Sequence, residues 1–197
     1  MSADGKYKIA VFGSASGDMQ AAIPLAVKVG EILGRYADSV VVITGACSGL
    51  PYAAAKVAAE KGVEVWGFSS SVDEAAQKLE YPDDDLSIYS KLVYVPEDFP
   101  FVASDRASKK YRNVISAASC DAAIIICGRW GTLNEFTNVI DMQKTIGILS
   151  GSGGIADELP PLSAKITKAG QGELLFETDP ELLVGKLLSS LPTKAKL

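Results

Sequence analysis

Apolar residues follow two alternating patterns along the chain: short unbroken runs, and longer stretches in which apolar positions recur at helical spacing. The run Asp-Ala-Ala-Ile-Ile-Ile at 121–126 belongs to the first kind and predicts a strand that is buried on both faces. Runs of this kind predict strands at 8–13, 39–44, 63–68, 91–95, 121–126, 145–149 and 173–176.

The longer stretches predict helices at 19–36, 51–61, 72–78, 104–119, 132–144 and 179–191. The last has the strongest start signal, because Asp179 precedes Pro180, and these residue types favour the N-cap and the first helical position. Two segments lack the pattern. Segment 80–87 contains Tyr-Pro-Asp-Asp-Asp and predicts a solvated acidic loop, and segment 150–161, rich in glycine and proline, predicts a mobile connection or a lid beside the site.

The regular alternation of strands and helices, without a dividing linker, predicts one α/β domain that spans residues 1–197. We expect a Rossmann-like, doubly wound and mainly parallel sheet of about seven strands, with helices on both faces. In such sheets, ligands bind beyond the carboxyl ends of the strands, near the point where the strand order reverses.

Composition narrows the class of function. The net charge of −5 argues against a nucleic-acid partner, which normally requires a basic face. The chain has no histidine, which excludes Ser-His-Asp and Cys-His nucleophiles and histidine-ligated zinc, so we expect neither a metal nor a cofactor. No apolar run reaches the ~20 residues of a membrane span. The absence of a signal-peptide pattern and the odd number of cysteines favour a cytoplasmic protein without a membrane partner.

Three predicted strands end in turns of glycine and small residues, at 13–17, 44–50 and 128–132. Carboxyl ends of parallel strands meet at one sheet edge, so these turns should form a surface rich in N–H donors that suits a phosphate. None of them reads G-x-G-x-x-G or has the Lys-Ser or Lys-Thr of a P-loop, which leaves a single phosphorylated nucleotide or nucleoside as the expected ligand. The candidate phosphate- and nucleotide-binding residues are Gly13, Ser14, Ser16, Gly45, Gly49, Gly128, Arg129, Trp130, Gly131 and Thr132.

Several of these residues have more than one interpretation. Thr132-x-x-Glu135 is the spacing of a capping box, so Glu135 has a structural role, a catalytic role or both. Trp130 lines a base pocket or covers an interface. Cys47 and Cys127 have no basic partner nearby in sequence and are interpreted as small packing residues.

These motifs resemble the LOG family, the cytokinin-activating phosphoribohydrolases long called "lysine decarboxylases", within the SLOG group of Rossmann-like domains. The family signature P-G-G-x-G-T-x-x-E follows a helix that carries an Arg-Lys pair. Residues 127–135 are similar to it, with Cys127 in place of proline and Arg129 in place of the second glycine. The same register places Arg112 and Asn113 on the pair, and the 44–50 turn resembles G-G-G-x-x-G-L with two glycines lost. The resemblance covers roughly residues 7–150.

The resemblance implies hydrolysis of the N-glycosidic bond of a nucleoside 5′-monophosphate, which yields a free base and ribose 5-phosphate. Arg112 and Glu135 would be the catalytic residues. It also implies a homodimer, with the helix that carries Arg112 near the interface. The Arg-Asn variant and the Gly-Ser-Gly-Gly-Ile loop are similar to a different branch, near the molybdenum-cofactor carrier-like proteins. Two alternatives therefore stay open, a non-catalytic nucleotide or molybdenum-cofactor carrier and a structural dimer with a vestigial site.

Overall fold

The computed structural model of the protein describes residues 5–17, 19–166 and 170–192. Strands and helices alternate along it. The strands are β1 Tyr7–Gly13, β2 Val40–Thr44, β3 Glu64–Phe68, β4 Lys91–Val93, β5 Ala122–Ile126, β6 Thr145–Leu149 and β7 Leu174–Glu177. The helices are α1 Ile23–Gly34, α2 Leu50–Glu60, α3 Glu74–Glu80, α4 Asp105–Ser119, α5 Trp130–Asp141, α6 Gly154–Ser163 and α7 Pro180–Ser190.

All seven strands form one parallel sheet in the order β4-β3-β2-β1-β5-β6-β7, which confirms the predicted fold class. The chain adds β2, β3 and β4 on one side of β1, and then returns to add β5, β6 and β7 on the other. The strand order therefore reverses between β1 and β5, whose last residues, Gly13 and Ile126, are register partners. Their carboxyl ends form the crevice where a ligand is expected in a doubly wound sheet.

Two hydrophobic layers enclose the sheet, because successive side chains of a strand point to opposite faces. Ile9 and Val11 pack with buried residues of α1, α2 and α7, whereas Ala10 and Phe12 pack with buried residues of α4, α5 and α6. Burial on both faces explains the unbroken apolar runs of the central strands. Among the described helices, none is long and apolar enough to cross a membrane.

Helix α6 corrects the prediction of an irregular connection at 150–161. The Asp157 carboxylate accepts hydrogen bonds from the N–H groups of Gly151, at 2.6 Å, and Gly153, at 3.1 Å, and so holds the turn that leads into the helix. Ala156 and Leu159 are fully buried against the sheet. The prolines at 160–161 remove helical hydrogen bonds in the last turns only, and this apolar packing outweighs their loss.

Candidate functional site

A cavity of about 130 Å³ lies at the crevice between β1 and β5, and we call it the central cavity. It brings together eight of the residues singled out in the sequence: Gly13, Ser14, Gly45, Arg112, Arg129, Gly131, Thr132 and Glu135. Cys47 and Asn113 also line it. The three glycine turns thus meet at one edge of the sheet, as the parallel arrangement predicts.

Two of the predicted glycines shape the cavity through close packing. A Cβ atom on Gly13 would overlap the backbone oxygen of Ile126, so only glycine lets β1 end beside β5. Gly49 has a φ of 119°, and a Cβ atom there would overlap the Ser14 oxygen, which accepts a 2.9 Å bond from the Leu50 N–H. Gly49 does not line the central cavity, so it supports the site from outside.

The start of α5 corrects the capping-box interpretation. Cys127 and Gly128 have positive φ angles of 55° and 104°, and this early reversal lets the helix begin at Trp130, with Arg129 as its N-cap. Thr132 is therefore the third helical residue, not the cap. Within the described part of the chain, the Glu135 carboxylate accepts no hydrogen bond, so it does not cap the helix either.

The backbone donors at this turn differ in their availability. The Gly128 N–H donates to the Ser14 hydroxyl at 3.1 Å, which engages one donor of the expected phosphate cradle. The N–H groups of Trp130, Gly131 and Thr132 begin α5, where a helix leaves its donors without intrahelical partners and carries the positive end of its dipole. Gly131 has no positive φ, and a Cβ atom there would meet nothing within 4 Å, so open space lies beside Gly131, which lines the central cavity.

Arg112 reaches the cavity from α4 and is held by two polar contacts, one to the turn after β2 and one to its neighbour on α4. One terminal nitrogen donates to the Gly45 oxygen, and Nε donates to the Asn113 amide oxygen at 2.9 Å. The Asn113 amide nitrogen in turn donates to Asn134 at 3.0 Å. Asn113, which occupies the place of the family's lysine, therefore positions Arg112. Asn134 was missed in the sequence, because this contact joins two different helices.

Glu135 is 7% exposed and lies on the side of α5 that faces the cavity. Burial raises the pKa of its carboxyl group to about 7, although Arg112 and Lys110 partly oppose this shift. Both protonation states are therefore populated near neutral pH, as a general acid or base requires. Burial by itself would lower the pKa of Arg112, but Cys47 and the Glu135 carboxylate raise it above its usual value, so the guanidinium stays charged.

Arg129 and Trp130 occupy different surroundings at the mouth of the cavity. The Arg129 guanidinium donates to the Ser16 hydroxyl at 2.6 Å, and so joins the 13–17 turn to the start of α5. Trp130 is 83% exposed and does not line the central cavity. The sequence predicted that Trp130 either lines a base pocket or covers an interface. The structure does not place its side chain in the wall of the central cavity.

The two cysteines near the site differ from the sequence interpretation in one respect. Cys47 does have a basic neighbour, Arg112, but burial dominates and raises the pKa of the Cys47 thiol. Cys127 is buried and lies 3.4 Å from the Ser14 hydroxyl that donates to it. Its φ of 55° is one that a proline ring cannot adopt, so the backbone here departs from the family signature.

These features define a Rossmann-like α/β protein with a basic cavity at the reversal point of its sheet. The sequence model of the SLOG cluster4 family matches residues 6–184, and the chain belongs to that family. The predicted membership in the SLOG group is thereby confirmed. No curated protein matches the sequence.

Similar solved structures share the fold at low sequence identity. TM1055 is 17% identical with a TM-score of 0.71, and the match covers 94% of this chain and 99% of that one. The molybdenum cofactor binding protein of the phototrophic bacterium Rippkaea orientalis is 18% identical with a TM-score of 0.65, over 93% and 96%. DNA processing protein A of Helicobacter pylori, described with a single-stranded DNA binding mode, is 16% identical with a TM-score of 0.66, over 96% and 83%.

Proposed function

We propose that the central cavity binds the phosphate of a nucleoside 5′-monophosphate or a related phosphorylated small molecule. The observation that carries this proposal is a concentration of positive charge in an acidic protein. Arg112 and Arg129 face the cavity together with the start of α5, and within the described residues neither forms an ion pair with a carboxylate. Guanidinium groups and free helix donors together favour a phosphate group.

We further propose that the protein hydrolyses the N-glycosidic bond of this ligand. The C1′–N bond breaks, and its electron pair leaves with the base, which takes up a proton from solvent. The ionised form of Glu135 stabilises the positive charge that develops on the ribose, and accepts a proton from the water that attacks C1′. The products are the free base and ribose 5-phosphate, with one water consumed.

Arg112 would serve the same reaction by holding the ligand over Glu135. Its guanidinium is fixed by Gly45 and Asn113, so it can meet a phosphate or a ribose hydroxyl without losing further side-chain freedom. Because it also lowers the pKa of Glu135 relative to burial alone, Arg112 keeps part of that carboxyl group ionised at neutral pH.

Incubation of the purified protein with nucleoside 5′-monophosphates, followed by chromatography, tests this function. Free base and ribose 5-phosphate should appear together. Glu135→Gln keeps the size of the side chain and removes its charge, so turnover should fall by about 10²–10⁴-fold while nucleotide affinity, measured by calorimetry, stays near the original value. If the original protein binds the nucleotide but releases no base, and Glu135→Gln behaves in the same way in both measurements, the protein does not catalyse this reaction.

A non-catalytic carrier of a nucleotide or of molybdenum cofactor is the second candidate. Two features of the segment that resembles the LOG signature favour this candidate. Cys127 has a positive φ that the proline of the signature could not adopt, and the Gly128 N–H already donates to the Ser14 hydroxyl. The similar fold of a molybdenum cofactor binding protein is consistent with it. The same incubation separates the two functions, because a carrier would bind its ligand and release it unchanged.

A further inference from the structure

The central cavity holds two opposite charges that do not pair, those of Arg112 and Glu135. Beside the larger effect of burial, Glu135 raises the pKa of Arg112 and Arg112 lowers that of Glu135, as expected of charges that attract each other. Within the described part of the chain, however, no ion pair joins them and no hydrogen bond reaches the carboxylate. Opposite charges that lie close together in a protein normally pair, because their hydrogen bonds offset the loss of hydration. Other contacts must therefore hold these two groups apart.

The contacts of the Arg112 guanidinium supply this restraint. Its Nε donates to the Asn113 amide oxygen at 2.9 Å, and one terminal nitrogen donates to the Gly45 oxygen. A Cβ atom on Gly45 would overlap that terminal nitrogen, so glycine is the residue that lets the guanidinium reach the turn after β2. Because the five N–H donors of a guanidinium form a rigid planar fork, fixing two nitrogens sets the direction of the remaining donors.

Asn113 is itself held by α5. Its side chain is 3% exposed, and its amide nitrogen donates to Oδ1 of Asn134 at 3.0 Å. Because Nε of Arg112 can only donate, the Asn113 oxygen must face the arginine and the nitrogen must face Asn134. Asn134 directly precedes Glu135 in the sequence of α5. The bond between Asn113 and Asn134, which we call the amide pair, therefore couples the direction of the arginine to the helix that carries the carboxylate.

We propose that Asn113 and Asn134 are positioning residues that keep Arg112 from closing onto Glu135, so that the carboxylate stays available to the ligand. This inference rests on the proposed function and extends it to Asn134, which acts from outside the central cavity. A carboxyl group with a pKa of about 7 exchanges its proton near neutral pH. The same group in a hydrogen-bonded ion pair would stay ionised, with its oxygens already occupied by the guanidinium.

The charged and titratable groups around Glu135 come from three elements. Burial is the main cause of the raised pKa of its carboxyl group, and Arg112 and Lys110 on α4 oppose that rise. On the turn after β2, Cys47 also interacts with the charge of Glu135, and Arg129, at the start of α5, lines the same cavity. Of these groups, Arg112 is the one that the amide pair holds. A change in the amide pair should therefore reach Glu135 through Arg112.

Asn134→Ala tests the inference, because it removes the acceptor that orients Asn113. Arg112 should then turn toward Glu135 and pair with it, so the pKa of Glu135 should fall from about 7 toward its ordinary value of 4.5. Carbon-13 NMR of protein labelled at the glutamate carboxyl groups measures this pKa, and Glu135→Gln identifies the signal. The turnover number for base release at pH 7 should fall by at least about 10-fold, since the carboxylate is no longer free to act.

Three further variants sharpen the test. Asn138→Ala is the matched control, because Asn138 lies one turn further along α5, outside the central cavity, and its amide nitrogen has no hydrogen-bond partner among the described residues. It should leave the pKa of Glu135 unchanged. Asn134→Asp keeps the acceptor, and its added charge opposes a fall in that pKa, so no fall should occur. Gly45→Ala displaces Arg112 from the other side and should lower the pKa of Glu135 even where Asn134→Ala does not fold.

A purely structural amide pair would give a different result. Asn134→Ala would then lower the melting temperature and leave the pKa of Glu135 near 7, and this outcome would overturn the inference. An equal fall of that pKa in Asn138→Ala would overturn it as well. The NMR titration requires neither a ligand nor turnover, so the two failures are distinguishable. Absence of base release from the original protein counts against the proposed function, whereas an unchanged pKa in Asn134→Ala and Gly45→Ala counts against the restraint on Arg112.

Discussion

At the scale of single residues, the most informative group is the carboxylate of Glu135. It is buried near Arg112, and it accepts no hydrogen bond from the described residues. The sequence pattern identified this residue and left a helix-capping role through Thr132 and a catalytic role both open, and the structure shows that α5 begins two residues before Thr132. A buried carboxylate without a hydrogen bond lowers stability when ionised. Its position is therefore explained better by a requirement of the site than by a requirement of the fold.

The raised pKa of Glu135 predicts how stability depends on pH. A carboxyl group with a pKa near 4.5 when unfolded and about 7 when folded binds more protons in the folded state between these values. The free energy of unfolding therefore falls as pH rises from about 4.5 to 7, by roughly 3 kcal/mol. Glu135→Gln removes this loss. When both proteins are unfolded with urea, the free energy of unfolding of the variant minus that of the original protein should therefore be larger at pH 8 than at pH 4.

Glu158→Gln provides the control for this measurement, because the Glu158 side chain is exposed and lies outside the central cavity. It should leave the pH dependence of stability unchanged. Parallel stability curves for the original protein and Glu135→Gln would show that the Glu135 carboxyl group titrates as an exposed one does.

At the scale of elements, the sequence predicted strands more accurately than helix ends. Each described strand overlaps a predicted one, and for the inner strands the reason is that burial on both faces leaves a continuous apolar run. Helix α6 was missed, since the glycine and proline signals are local, whereas the burial of Ala156 and Leu159 depends on the sheet beneath them. The start of α5 was placed late because the positive φ angles of Cys127 and Gly128 cannot be inferred from a cysteine and a single glycine.

The start of α5 yields a prediction about ligand approach. Gly131 has an ordinary φ and open space in front of it, so Gly131→Ala should preserve the fold and, inside a helix, add about 0.5–1 kcal/mol of stability. Because Gly131 lines the central cavity, the added methyl group would take up space that a phosphate bound there needs. Calorimetry should therefore show at least a 10-fold loss of nucleotide affinity, without a lower melting temperature.

Gly185→Ala is the matched control, because Gly185 is also helical, also faces open space and lies on α7, outside the cavity. It should change stability in the same direction and leave affinity unaltered. If Gly131→Ala binds the nucleotide as the original protein does, the start of α5 is not the phosphate site.

At the scale of the whole molecule, the alternation of elements was enough to predict a parallel α/β sheet and the convergence of three glycine turns at one edge. The strand order was not predictable in the same way, because it depends on which side of β1 the chain adds β5. Contacts such as Arg112 with Gly45 join residues far apart in sequence, so no local pattern reports them. The single domain and the homodimer stay predictions. On α4, the helix predicted to lie near the dimer interface, the apolar side chain of Val114 is 41% exposed.

The overall charge gives a prediction that separates this protein from the similarly folded DNA processing protein A. With 24 acidic and 19 basic residues, the net charge disfavours a polyanion, and two of the arginines, Arg112 and Arg129, face one small cavity. A labelled single-stranded oligodeoxynucleotide should show no rise in fluorescence anisotropy up to about 100 µM protein at physiological salt, which is the weak end of the usual range of dissociation constants for non-specific binding. A mononucleotide should bind under the same conditions. A rise that weakens steeply with added salt, and that Arg129→Gly reduces, would instead show that the cavity mouth accepts a nucleic-acid backbone.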